Sequence, residues 1–561
     1  MKKFLWAIGV FVVILSLAAT VRMTKNEENL ILVIEFDGKI EEVKGNDIIS
    51  ALAGDGSQSI HTITSNIRRA AVDPAIRGIL FKIGMVDIGL AQLQDVADAM
   101  AVFKKSGKWS ASYMDTAGEF SSGNIPFSLD STTDHITVSP TGSVNLIGLR
   151  AESMFFKKTL EKMDIDVLVE QRHEYKNAAA PFSETQYTPA HKEAIQSLLN
   201  DIQTTLITML ATHRGIDTDV AKTWFEQGPY WARQAAAEGL IQQVGYYDEA
   251  IDFLENRMDM SFNPIYLSDY RETGKLYDGN IPVALIVAEG SIHRGESSGD
   301  PSVGSDTVTR AIRKARKDNV QGLLLRVNSP GGSVIASDVI RREIELTRNA
   351  GIPVVVSMGD LAASGGYYIS MNANYIVAQP GTITGSIGVI AMLTSMHKTL
   401  KKNLKVTFDS YQTMENADTF SAMKLPKGKR LKRLQDDIDS IYNDFVNKVA
   451  FGREMEIEKA HEVAKGRVWS GLAAKENGLV DELGDVHLAI ERLQERMELK
   501  EGDTIGVQVY PKDDSPLAVL RDVLNARIAV PQEVKNLLDT WHILTRPEEA
   551  TLRIPQVPNI Q

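Results

Sequence analysis

The 561-residue chain contains no cysteine, which excludes disulfides, thiol nucleophiles and cysteine-ligated metals together. The compartment stays open on that count, because exported proteins without disulfides are common. Its ten histidines are scattered, with no HExxH or comparable ligand cluster, so no metal or other cofactor is expected. Basic charge is in deficit: 61 Lys and Arg stand against 73 Asp and Glu, a net charge of −12. Nucleic acid is therefore not expected as a partner, since phosphate binding needs a basic face. The one basic stretch, Lys424–Asp437 (KLPKGKRLKRLQDD), reads as a solvated helix face balanced by the acids that end it, rather than as a lipid-binding patch.

What the chain does have begins at its N-terminus. Residues 4–21 form an uncharged run, FLWAIGVFVVILSLAATV, behind Lys2 and Lys3. Eighteen helical residues span roughly 27 Å, enough to cross a hydrocarbon core. The two lysines favour a cytoplasmic N-terminus, with the rest of the chain outside. A cleaved signal peptide is the alternative, because Ser16-Leu17-Ala18 is an acceptable small-x-small end. Both readings export the bulk of the chain.

The rest is a folded protein with a sizeable core, 43% apolar and 24% charged, and too long for one ordinary domain. It repeats itself. RGILFKI (Arg77–Ile83) matches QGLLLRV (Gln321–Val327). PTGSVNLIG, from Pro140, matches ITGSIGVIA, from Ile383. GPYWARQAAAEGLIQQVG (Gly228–Gly245) matches GRVWSGLAAKENGLVDELG (Gly466–Gly484). The matches keep their order at a nearly constant offset, which indicates a tandem duplication. Short β-branched runs alternate with amphipathic helical patterns in both copies, so each is an α/β domain with a largely parallel sheet. The expected organisation is an anchor over 1–28, a first copy over 29–255, a linker over 256–280, a second copy over 281–495 and a tail over 496–561. The repeated Trp231 and Trp469 read as core residues.

The differences between the copies carry the chemistry. The second has RVNSPGGSV, with the pair Gly331-Gly332, where the first has KIGMVDIGL. It also has VVVSMGDLAASGGYYIS (Val354–Ser370), a strand turning through Ser364 and two glycines into a helix. The first copy has only Ser122-Gly123 there, but carries Lys176 in EYKNAAAPF, where the second has Met414-Glu415-Asn416. One copy thus offers a nucleophile and a backbone cradle, the other a base, and neither a full set.

SPGG, AASGGYYIS, TGSIGVI and EYKNAAAPF, on a tandem duplication behind an apolar N-terminus, resemble the long form of the signal peptide peptidase A family, also called protease IV. The resemblance covers the chain from the anchor to about residue 490. It implies a Clp protease/crotonase-like fold and a Ser/Lys-dyad endopeptidase. That enzyme would be a single-pass protein of the bacterial cytoplasmic (inner) membrane with its catalytic domains on the outer, periplasmic face, acting on signal peptides. It implies Ser364 as nucleophile, Lys176 as general base and Ser386 of TGSIG as the residue that orients the lysine amine. The family's YKSA is YKNA here, a change beside the base. The long form also suggests a homo-oligomer, a tetramer.

The residues support such chemistry independently. A serine hydroxyl needs a base during attack, and lysine serves only when neutral, which burial can bring about by lowering its pKa. Ala178, Ala179, Ala180, Pro181 and Phe182 make apolar surroundings, while Glu174 would act against neutrality if it pointed inward. The Gly365 amide and an amide of the Gly331-Gly332 turn, Gly332 by preference, are the natural oxyanion donors. His173 is the rival base, three residues before Lys176. Ser386 has a structural alternative as a buried turn serine, since Ser143 holds the matching place in the first copy's TGS. Ala362 replaces the first glycine of a G-x-S-x-G elbow, which disfavours an α/β-hydrolase. An acyl-CoA enzyme of the crotonase type and a silent membrane scaffold are the readings from other classes. The anchor with the Ser/Lys pair speaks against the first, and the presence of both dyad residues against the second.

Overall fold

A computed structural model of the chain describes residues 29–42, 59–259, 261, 263–270, 277–298, 301–500 and 502–511. The apolar run at 4–21 and most of the tail lie outside the described residues. Among the described residues no helix is long and apolar enough to cross a membrane.

The first copy is built on strands β1 (Leu30–Lys39), β2 (Ile76–Asp87), β3 (Trp109–Met114) and β4 (His135–Val138), with β5 (Asp166–Gln171) set apart and β6 (Gln243–Val244) and β7 (Asn263–Tyr266) at the sheet edges. The sheet order is β6-β4-β3-β2-β1-β7, and every pairing in it is parallel. The second copy repeats this with β8 (Ile281–Glu289), β9 (Gly322–Ser329), β10 (Val354–Ala363), β11 (Tyr375–Ala378), β12 (Ile383–Gly385), β13 (Ile390–Ser395), β14 (Val468–Ser470), β15 (Glu482–Leu483) and β16 (Ile505–Tyr510). Its central order, β15-β11-β10-β9-β8-β16, is the same and again parallel. Helices cover both faces, so the central strands read as nearly continuous apolar runs. In β9 all residues but Asn328 are buried, and Arg326 is the one charge among them.

Two boundaries differ from the sequence expectation. Strand β7 falls in the stretch read as a linker, and β16 in the stretch read as tail; each closes the free edge of its own sheet. Both are short edge strands with exposed residues, one of them carrying Pro264, so neither shows the buried pattern that marks the central strands.

Two of the joins between the copies set their register. Strand β5 of the first pairs antiparallel with β13 of the second, Val169 opposite Met392. Behind the sheets lies a buried polar seam. Arg326 on β9 holds Glu42 at 2.8 Å and Asp95 at 2.7 Å. Gln379 donates to Asp95 and Asp98, both at 2.8 Å. The Asp360 carboxylate accepts the Ala91 and Gln92 amides at the start of helix Leu90–Lys104. A buried ion pair adds little net stability, but removing one partner strands the other. The seam therefore fixes how the copies sit together, and with that the distance between groups that belong to different copies.

Candidate active site

Strand β10 ends at Ser364, which turns the chain into helix Gly365–Ser370 with φ 54° and ψ −115°. A non-glycine residue held there costs on the order of 1–3 kcal/mol. The surroundings enforce it: the Ser364 amide donates to the Gly385 carbonyl at 2.9 Å. The flanking glycines have no room for a side chain, since a Cβ on Gly365 would lie 2.6 Å from Ser337 Oγ and one on Gly366 2.5 Å from Ser329 O. The corner is thus compulsory for this packing.

Gly331 and Gly332 pass directly beside it. A Cβ on Gly331, at φ 94°, would lie 2.4 Å from the Gly365 amide nitrogen, and one on Gly332 2.0 Å from Ile292 O. The Gly331 amide is used by Ser329 Oγ. Those of Gly332 and Gly365 make no hydrogen bond among the described residues, so two N–H groups on adjacent loops remain for a ligand oxygen.

Lys176 arrives from the first copy, on the segment that follows β5. Its stem passes between two glycines of the second copy. A Cβ on Gly466 would lie 2.5 Å from Lys176 Cβ, and one on Gly388 3.2 Å from Lys176 Cδ. Nζ then lies 3.0 Å from Ser364 Oγ, 2.9 Å from Ser386 Oγ and 2.8 Å from the Ser386 carbonyl. Ser386 presents both oxygens because its own backbone is left-handed, φ 50°, with its amide donating to Arg467 O at 2.7 Å. Lys176 is buried and has no carboxylate partner among the described residues; burial lowers its pKa from the ordinary 10.5 to about 8. Glu174 points outward and does not oppose this. Nζ donates to all three oxygens, the Ser364 hydroxyl among them.

The structure thus brings Ser364, Lys176, Ser386, Gly365 and Gly332 to one place. His173 is elsewhere. Its ring packs on Tyr442 and His461, with centroids at 4.6 and 4.8 Å, and it makes no hydrogen bond to Ser364 among the described residues. Two expectations need correction. Ser143 does not match Ser386: it pairs with Trp231, whereas the partner of Trp469 is Thr384, and Ser386 lies two residues further on. Counted along the ladder, Ser143 matches Ile383 and Leu146 holds the Ser386 place, because the helix that follows starts one residue after Trp231 but two after Trp469. Trp231 is not core, being 66% exposed at the rim of the first copy's cleft. Gly388, Gly466 and Arg467 escaped the sequence reading. The repeated G-x-x-W pattern was the available signal, and it marked the position without the role.

Residues 90–261 and 347–500 match Peptidase family S49. The chain is 31% identical to Protease 4 of Haemophilus influenzae over 545 residues, 91% of this chain and 87% of that protein. It is 32% identical to Protease 4 of Salmonella typhi over 506 residues, 86% and 78% of the two chains. A putative signal peptide peptidase SppA of Enterococcus faecium is 38% identical over 195 residues, 35% of this chain and 56% of that one. The family match covers more than half of the chain, one segment in each copy, and the two Protease 4 relatives align along 91% and 86% of it. The chain belongs to Peptidase family S49 and is a serine-type peptidase.

Proposed function

We propose that the protein is a membrane-anchored endopeptidase that cuts short apolar peptides, cleaved signal peptides among them, with a Ser364/Lys176 dyad assembled across the two copies. The observation that carries this reading is the 3.0 Å contact between Lys176 Nζ and Ser364 Oγ. The neutral amine takes the hydroxyl proton as Oγ attacks the scissile carbonyl, and the ester that results is the acyl-enzyme. The oxyanion is held by the Gly365 and Gly332 amides, each worth roughly 2.7–4 kcal/mol in such sites. The lysine ammonium, steadied by Ser386, returns its proton to the leaving amine. A water molecule, deprotonated by the same amine, then releases the acyl group. None of these steps calls on a cofactor.

The substrate class rests on the apolar run at 4–21, which would hold the site against a bilayer, and on the printed name of the Enterococcus relative. Location in the cytoplasmic membrane, with both copies on the outer face, rests on Lys2 and Lys3 beside that run. The domains are assigned to the Clp protease/crotonase class on their repeated sheet order. Homo-oligomerisation, as a tetramer in the resemblance, belongs to the same proposal. Residues 150–154 and 407–412 occupy the repeat positions of β13 and β5, yet both are exposed and have no strand partner among the described residues. Pairing them between chains would repeat the join made within one chain.

The test is digestion of a synthetic signal peptide by the full, detergent-solubilised chain, with fragments mapped by mass spectrometry. Cuts inside the apolar segment and an acyl adduct on Ser364 support the proposal. Intact peptide alongside cleavage of unrelated polar peptides would contradict the substrate class.

A further inference from the structure

The segment 465–467 of the second copy lies between the two groups it must align. The Gly466 amide donates to Ile387 O at 2.8 Å, the Arg467 carbonyl accepts the Ser386 amide at 2.7 Å, and the Lys465 carbonyl accepts the Tyr175 amide at 3.3 Å. Ser386 orients the amine, and Tyr175 immediately precedes Lys176. The Arg467 side chain then closes the arrangement. Nη1 stands 2.6 Å from Glu193 Oε1 on helix Pro189–Arg214, while the Tyr175 hydroxyl donates to Glu193 Oε2 at 2.8 Å. The guanidinium lies over the Tyr175 and Trp469 rings, at 5.1 and 4.4 Å from their centroids.

Resting on the Ser/Lys reading, we propose that Arg467 is a positioning residue for Lys176: its backbone sets Ser386, and its side chain, clamped on Tyr175, Glu193 and Trp469, keeps the 465–467 strap closed over the lysine stem. The first copy, which has no nucleophile to serve, carries Gly228, with no side chain, at the matching place of the ladder. Glu193 is half exposed, with 56% of its side chain in solvent, so its ion pair contributes little. The guanidinium's contact with the two rings does most of the holding, and lysine reproduces it poorly. The charged and titratable groups around this segment are His173, Glu174, Tyr175, Glu193, Tyr442, His461, Lys465 and Arg467; none of them displaces the Lys176 pKa, which burial alone lowers. Opening the strap admits water to the amine.

The experiment is the pH profile of kcat and kcat/KM for full-length Arg467→Ala, Arg467→Lys, Tyr175→Phe and Glu193→Gln, with thermal melts in parallel. Arg467→Ala is expected to lower kcat by about 10- to 100-fold through misplacement of the base. KM should stay within about threefold, and the acid limb should move to higher pH. Arg467→Lys should fall almost as far, and Glu193→Gln least. Tyr175→Phe, which removes only a hydroxyl, gives a smaller shift of the same sign and keeps the test open should the alanine variant not fold. An unmoved acid limb in every variant, with losses confined to KM or melting temperature, overturns the proposal. Failure of the dyad reading itself is separable, because Lys176→Ala would then stay active in the same assay.

Discussion

Lys176 Nζ and Ser364 Oγ stand 3.0 Å apart although 188 residues separate them in the chain. On the proposed reading each depends on the other copy, and the buried seam around Arg326 holds the copies in the register that joins them.

Activity should depend on pH through the lysine. Burial lowers its pKa to about 8, and only the neutral amine can accept the serine proton. The kcat/KM profile should therefore rise with pH and reach half its plateau near pH 8. A profile already flat at pH 6 would mean that another group is the base.

The same burial has a cost in stability. Lys176 binds its proton with a pKa near 10.5 when unfolded and about 8 when folded, so between those values the unfolded chain holds more protons and wild-type stability rises with pH. Below pH 8 the penalty is complete. Lys176→Met should thus be inactive yet more stable than wild type by on the order of 2–3 kcal/mol at pH 7. The gap should narrow from pH 8 and close by about pH 10.5. Urea melts of both proteins at several pH values check this; equal stability at pH 7 would contradict it.

Gly466→Ala should be almost inactive. The added Cβ would lie 2.5 Å from Lys176 Cβ, so the lysine stem or the strap must shift, and a displacement near 1 Å can cost about 100-fold in rate. Circular dichroism should show an unchanged fold beside a fluorogenic-peptide rate reduced by at least that factor.

Arg326→Met should destabilise the chain by about 3–5 kcal/mol, because Glu42 and Asp95 would be left buried without their cation. Adding Glu42→Gln and Asp95→Asn should restore most of the loss. Urea denaturation of the single and triple variants decides it, and a single variant as stable as wild type would remove the seam from the account.

Much of this was legible in the sequence, for a physical reason. Gly331, Gly332, Gly365 and Gly366 sit where a Cβ would strike backbone or a side-chain oxygen, so the packing writes itself as SPGG and ASGG. The duplication showed because both copies bury the same strand runs, and the asymmetry between them singled out Lys176. Contacts between the copies were not legible. The partners of Arg326 come from positions 42 and 95, and no local pattern announces a seam between two domains. Matching TGS to TGS misaligned Ser143, since strand register follows the hydrogen-bond ladder and not the letters. Strands β7 and β16 hid in the stretches read as linker and tail because short, half-exposed edges lack a buried period.

The central claim is a base from one copy serving a nucleophile in the other. Its most direct test is hydrolysis of a short apolar fluorogenic peptide by the full chain and by Ser364→Ala, Lys176→Ala and His173→Ala. Activity in the wild type and the His173 variant, with loss of at least about 1,000-fold in the other two, is the predicted result. Activity that survives Lys176→Ala and vanishes with His173→Ala would contradict it.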